Sequence, residues 1–169
     1  MSTRPTSDRL RETLFNVLSP RMEGARFADL YAGSGAVGIE ALSRGAAHVE
    51  FVERAQPALR VIRDNLQKLG IRSSIAVHAA SVLSWIKSRP QRRPEPGFDI
   101  LFLDPPYDAL EEYEAVLTLA EGALAPGGIV VAEHRRKDPL AERYGQLLRT
   151  RVLRQGDATL SFYAIPPSF

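Results

Sequence analysis

At 169 residues, with 44% hydrophobic and 25% charged residues, the chain has the size and composition of one globular domain rather than a disordered or fibrous protein. It has no cysteine, which excludes disulfides, thiolate catalysis and the usual zinc sites. No apolar run approaches the ~20 residues of a membrane span and "MSTRPTSDRL" holds no signal-peptide core, so a soluble, cytoplasmic protein is expected. Net charge is only +2, although nineteen of the 22 basic residues are arginine; that balance permits nucleic acid as a partner without demanding it.

In chain order, Leu10, Leu14, Val17 and Leu18 share one stripe, which predicts a helix over 8–18 capped by Thr6 or Ser7. The strand "RFADLY", the helix "GAVGIEALSRG" with its stop at Gly45, and the strand "HVEFVE" follow. Next come the helix "QPALRVIRDNLQKLG", with Pro57 in its first turn and Gly70 at its end, the strand "SSIAVHA" and the short helix "SVLSWIKS". "RPQRRPEPG" reads as a loop. Beyond it lie the strand "FDILFLD", the helix "LEEYEAVLTLAEGAL" and the strand "GGIVVAEH". "LLRTRVLRQ" and "ATLSFYAI" flank Gly156-Asp157 as an antiparallel hairpin. The alternation predicts a doubly wound α/β fold with a mostly parallel, seven-stranded sheet and a C-terminal antiparallel hairpin. In such a sheet ligands bind beyond the carboxyl ends of the strands, so the strand tips are where chemistry belongs.

"DLYAGSGAVG" runs from the first strand into a helix, and Gly33, Gly35 and Gly38 satisfy G-x-G-x-x-G. Glycine there allows a tight turn and close approach to a ligand. Strand two ends at Glu53, placed to accept hydrogen bonds from ribose hydroxyls. These features alone also fit a nicotinamide-dinucleotide protein.

At the fourth strand tip stand Asp104, Pro105, Pro106 and Tyr107. An exocyclic amine on a nucleobase is a poor nucleophile because its lone pair is delocalised into the ring. Two acceptors aimed at its N–H groups would pull the nitrogen towards tetrahedral geometry. The Asp104 carboxylate and the Pro105 carbonyl are the natural pair, held in place by proline stiffness. Tyr107 offers a face for an extruded base. Taken alone, Pro-Pro with a packed tyrosine reads more simply as a turn.

Asp29, four residues before Gly33, completes an acid-x-x-x-G-x-G pattern that resembles class I S-adenosylmethionine-dependent methyltransferases, whose fold is Rossmann-like. Asp104 to Tyr107 resembles the [D/N]-P-P-[Y/F] motif of amino-group methyltransferases, which act on adenine N6, guanine N2, cytosine N4 or glutamine. "RPTSDRLRETLFNVL" (residues 4–18), "DLYAGSGAVGIEALSRGA" and "LDPPY" together closely resemble the RsmD-type bacterial 16S rRNA guanine-N2 methyltransferases over nearly the whole chain.

That resemblance implies a single methyltransferase domain over 1–169. Residues 1–20 form a helical substrate-side segment and 21–169 the cofactor-binding and catalytic core. It implies S-adenosyl-L-methionine as donor and ribosomal RNA, alone or within the small subunit, as partner, with no metal and no membrane. Asp104, Pro105, Pro106 and Tyr107 would be catalytic. Asp29, Tyr31, Ala32, Gly33, Ser34, Gly35, Glu53, Ser81, Val82 and Asp104 would hold the cofactor. Arg4, Thr6, Arg11, Tyr107, Arg92 and Arg93 would meet RNA.

Two departures from the family stand out. Only Met1-Ser2-Thr3 precede Arg4, where relatives commonly carry a basic stretch; this is either a short form, or RNA binding relies on the loop carrying Arg89, Arg92 and Arg93. The acid after strand three, which meets the adenine amino group in the family, is Ser81 here, and "HAAS" supplies no carboxylate.

A DNA adenine-N6 or protein-glutamine methyltransferase would use the same tip, and a non-catalytic RNA-binding module is a third class. His48, His78 and His134 are scattered along the chain without metal-ligand spacing. Trp85 reads as core, "EHRRKD" (residues 133–138) as a stretch that could touch RNA phosphates but reads more simply as a solvated loop, and "LEEYE" as an acidic helix start that suits the dipole.

Overall fold

In the computed structural model, which describes residues 7–89, 96–106 and 108–167, the strands form a single sheet. They are β1 (Arg26–Leu30), β2 (His48–Glu53), β3 (Ile75–Ala79), β4 (Phe98–Leu103), β5 (Leu124–Arg135), β6 (Arg143–Tyr144), β7 (Leu147–Gln155) and β8 (Ala158–Ala164). The spatial order is β3-β2-β1-β4-β5-β8-β7-β6. The first five in that order run parallel; β8, β7 and β6 add antiparallel pairs at one edge. The sheet thus has eight strands, not the seven expected. The extra one, β6, is two residues long, too short to leave any periodicity in the sequence.

Among the described residues five α-helices cover the two faces: α1 (Asp8–Leu18), α2 (Ala36–Ser43), α3 (Gln56–Lys68), α4 (Val82–Ser88) and α5 (Leu110–Leu119). Alternation along each strand decides which core a residue joins. Phe27, Val49, Phe51, Ile100, Phe102 and Val131 point to the face packed by α1, α2 and α3. Ala28, Leu30, Val52, Leu101, Leu103 and Val130 point to the face packed by α4 and α5. Trp85 sits in this second core, as expected, with its ring 5.6 Å from that of Phe98.

Element ends follow local chemistry. Of the two candidate caps of α1, Ser7 is the one described, and its Oγ accepts the Leu10 amide at 3.1 Å. The helix expected to run to Leu124 stops at Leu119; a 3-10 turn over Ala120–Ala123 follows and β5 begins at Leu124. Glu133 and His134, which the sequence assigned both to the end of the strand "GGIVVAEH" and to a solvated loop, belong to the strand and are buried in β5.

The order of the strands creates the site. From β1 the chain crosses outward to β2 and β3, and then returns to place β4 on the other side of β1. The crossovers leave β1 and β4 in opposite directions, so a crevice opens between their tips. Leu30 of β1 pairs with Val52 of β2 and with Leu103 of β4, which sets three strand ends side by side. Helix α2 lies close beneath its loop because Gly38 has no side chain. A Cβ there would have three carbons of the Phe51 ring within 3.0 Å. Gly38→Ala should therefore destabilise the fold by about 1–3 kcal/mol in denaturant titration, and Phe51→Leu in the same chain should recover part of that loss.

Candidate active site

The turn after β1 is built by backbone geometry that only some residues tolerate. Gly33 and Gly35 have φ of 58° and 81°, and Gly35 caps α2. Two carboxylates hold the turn. Asp29 Oδ2, almost fully buried, accepts the Gly38 amide at 2.9 Å and so ties β1 to the first turn of α2. Glu53 Oε1 accepts the Gly33 amide at 2.8 Å, and its Oε2 accepts the Arg54 and Ala55 amides at 3.1 and 2.9 Å. Asn65 of α3 donates to the Ser34 carbonyl at 3.1 Å. Ala32 N donates to the Val52 carbonyl at 3.1 Å.

Burial pushes the Asp29 carboxyl up to about 8; the Gly38 hydrogen bond opposes the shift and the nearby Glu53 charge adds to it. At neutral pH the carboxyl therefore mostly keeps its proton, and a cation placed beside it would favour the ionised form.

The β4 tip lies beside this turn. The Asp104 amide is 3.4 Å from the Leu30 carbonyl, so the catalytic candidate leaves the sheet abreast of Tyr31. Asp104 is partly exposed, Pro105 buried and Pro106 exposed. The Pro106 carbonyl accepts the Ala109 amide at 2.9 Å, whereas the Pro105 carbonyl accepts no hydrogen bond among the described residues.

Tyr31 was expected as part of the cofactor loop, and the structure gives it a second attachment. It has φ of 64°, a conformation that costs a non-glycine residue of order 1–3 kcal/mol and persists only when its surroundings enforce it. Its hydroxyl donates to Glu112 Oε1 at 2.5 Å, on the first turn of α5. Burial, reinforced by the Glu112 bond, holds the Tyr31 phenol well above its ordinary range, so it stays the donor. The pair bridges the β1 turn to the helix that follows Asp104-Pro105-Pro106. Glu112, which in the sequence looks only like an acidic helix start, is a site residue that the sequence did not reveal. Its spacing from the proline pair was visible; its partner was not.

The other expected residues divide. Ser81 Oγ caps α4 by accepting the Ser84 amide at 3.1 Å. The Val82 side chain is 3% exposed and packs in the core of the α4 and α5 face. Arg11 pairs with Asp8 at 3.0 Å on α1. Arg4, Thr6, Arg92, Arg93 and Tyr107 lie outside the described residues. The histidines are less scattered than the sequence suggests. His48 and His78 both bond Glu50, at 3.0 and 2.7 Å. Burial opposes ionisation of Glu50, but these two bonds overcome it and hold the carboxyl down at about 2.

Two outcomes follow from this geometry. The folded-state value of Asp29 lies above its ordinary 3.8, so its contribution to stability is full below that pH and is lost as pH rises through about 8. Melting temperatures of Asp29→Asn and the parent chain should therefore diverge in the variant's favour between pH 4 and 8. Tyr31→Phe keeps the ring but removes the bridge. It should lower kcat roughly tenfold while leaving affinity for S-adenosylhomocysteine near that of the parent.

Known proteins resemble both the sequence and the fold. A family profile described as Conserved hypothetical protein 95 matches residues 1–164. YlbH of Bacillus subtilis, provisionally named an rRNA methyltransferase, is 39% identical over 164 residues, 96% of this chain and 88% of that protein. Ribosomal RNA small subunit methyltransferase D of Haemophilus influenzae is 40% identical over 139 residues, 81% of this chain and 70% of that protein. The crystal structure of a Haemophilus influenzae protein provisionally described as a methylase superimposes with a TM-score of 0.77 at 33% identity, covering 94% of this chain and 98% of that one. The chain belongs to this family, that of the RsmD-type methyltransferases.

Proposed function

We propose that the chain methylates the exocyclic N2 amine of a guanine in small-subunit ribosomal RNA, with S-adenosyl-L-methionine as donor. The observation that carries the reading is the placing of Asp104 and Pro105 directly beside the acid-held glycine turn, through the β1–β4 register. The rRNA substrate is supported by the names of the relatives, and the guanine by the N-terminal and strand-tip motifs.

The donor set of the crevice fits this cofactor better than a dinucleotide. Asp29, Glu53, Asp104 and Glu112 gather at the adjoining tips, and a pyrophosphate would need positive charge or free amides instead. The Gly33 amide is already taken by Glu53. Beside Gly33 a Cβ would find nothing within 4 Å, so there is open space in front of the turn. Asp29 would serve the ammonium end through the turn it anchors, and Glu53 the ribose hydroxyls. When bound, S-adenosylmethionine supplies an electrophilic methyl group on a sulfonium.

The remaining work falls to the chain's own groups. The Asp104 carboxylate accepts one N–H of the target amine and the Pro105 carbonyl accepts the other. That draws the nitrogen lone pair out of conjugation and points it along a fixed direction. As the new N–C bond forms, the methyl's bond to the sulfonium sulfur would break and S-adenosylhomocysteine would leave as the neutral thioether, while the amine sheds one proton, for which Asp104 is the acceptor already hydrogen-bonded to it. The Tyr31–Glu112 bridge keeps the two loops in register while this happens.

Asp104→Ala should reduce methyl transfer to small-subunit RNA by at least ~100-fold while S-adenosylhomocysteine binding stays within a few-fold of the parent. Equal loss of both would remove Asp104 from the catalytic role.

A further inference from the structure

On the proposed reading that RNA is the substrate, we infer that the target strand is tracked by a basic rim on the β5 side of the crevice. The rim is formed by Arg136 and Lys137 after β5, Arg154 at the end of β7 and Arg9 at the start of α1. Topology brings the backbones that carry these four to one edge of the sheet from three separate parts of the chain, with Arg9 on the α1 side and Arg154, between Leu153 and Gln155 that face α1, on the other. Arg135, the last residue of β5, pairs with Ala158 of β8, and Ala158 pairs with Gln155 of β7. The Arg136 amide donates to the Asp157 carbonyl at 2.7 Å, which joins the β5 end to the hairpin turn. Thr13 of α1 donates to the Arg9 carbonyl at 3.1 Å and bonds Gln155 Oε1 at 3.0 Å, which brings the N-terminal turn of α1 to the same turn.

The rim stands at the catalytic edge. Leu103 pairs with Ala132, so Asp104 is abreast of Glu133, and Arg135 is two residues further along the adjacent strand, roughly 7 Å beyond it. Arg9, Arg136, Lys137 and Arg154 are all exposed, and none has an ion-pair partner among the described residues. Glu12 and Asp157 are the acids beside them that have no such partner among the described residues, while Asp8 and Asp138 are taken by Arg11 and Arg135. Lys137 also borders a cavity of ≈ 470 Å³ between α5 and the β5–β6 connection, with Leu110, Tyr113, Pro139 and Leu140 among its lining. Leu110 begins the helix that follows the Asp104 loop.

The turn that carries Arg136 and Lys137 is built rather than loose. His134 Nδ1 lies 3.0 Å from the Asp138 carbonyl and 3.2 Å from the Arg135 carbonyl. Carbonyls only accept, so Nδ1 carries the proton, and Nε2 accepts from Ser161 Oγ at 2.8 Å. Burial holds the His134 imidazole below its ordinary range, so the ring works as a neutral brace. A turn fixed in advance loses less conformational freedom when phosphates dock on it. Cations at this spacing supply the sequence-independent, salt-sensitive part of RNA binding, which leaves base choice to the crevice.

The test measures KM for small-subunit RNA, and its dependence on salt, in R136A/K137A, in R154A and in a control, K68A/R72A. The control removes equal charge at the opposite edge of the sheet, where α3 ends before β3. R136A/K137A should raise KM roughly tenfold and flatten the slope of log affinity against log salt by about 0.7–0.9 for each phosphate that the two side chains neutralise. R154A should show the same effect at smaller size. S-adenosylhomocysteine affinity should be unaltered in both, which also shows that the variants fold. KM and slope equal to the parent's, or an equal loss in K68A/R72A, would overturn the rim while leaving the RNA reading intact. No methyl transfer to RNA by the parent chain would overturn both.

Discussion

Two carboxylates organise this molecule. Asp29 reaches from β1 to the Gly38 amide of α2, and Glu53 reaches from β2 to the Gly33 amide. Between them they fix a turn whose backbone runs through two left-handed glycines. The bond from Asp29 also requires α2 to lie near the sheet, which is possible because Gly38 leaves room for Phe51. A fold of this class could close its first β–α turn in several ways. This one closes it with buried acid, and that choice decides the sign of charge the crevice prefers.

From that choice the rest of the site follows. A crevice ringed by Asp29, Glu53, Asp104 and Glu112 suits a ligand with positive ends. The exposed cations stand apart, on the rim beyond β5. The molecule thus separates its two electrostatic tasks by about the width of two strands. The Tyr31–Glu112 bridge joins the halves of the site, one residue in the turn after β1 and the other on the helix after Asp104. Its strained tyrosine is a local conflict that the surrounding fold resolves.

Much of this was legible in the sequence because it is written in short periods. The strands β1 and β4 and their tips were found from apolar runs ending in glycine or proline, and the crevice then followed from the alternation of elements. Glu53 was recognisable from its place at the end of strand two, and Asp29 through the resemblance of its acid-led glycine pattern to class I methyltransferases. What escaped were facts of the third dimension. β6 has only two residues, below the length at which alternation means anything. His48 and His78 are thirty positions apart in sequence, yet both reach Glu50, His48 from two residues away on β2 and His78 through the parallel pairing of β2 with β3. Glu112 looked like an acid placed for the helix dipole until Tyr31 was seen beside it. Residues 133 and 134 fell in both the strand "GGIVVAEH" and the loop "EHRRKD", and the structure settles the overlap with a buried brace, Glu133 with His134, before an exposed cationic turn.

The proposed chemistry stands or falls on the base whose amine Asp104 holds. The direct measurement is mass spectrometry of nucleosides after the chain and isotope-labelled S-adenosylmethionine are incubated with small ribosomal subunits that lack the modification. If that base is guanine, label appears in N2-methylguanosine of the small-subunit RNA, and none appears when Asp104 is replaced by alanine. Label in N6-methyladenosine, or in protein glutamine with none in RNA, would contradict the assignment.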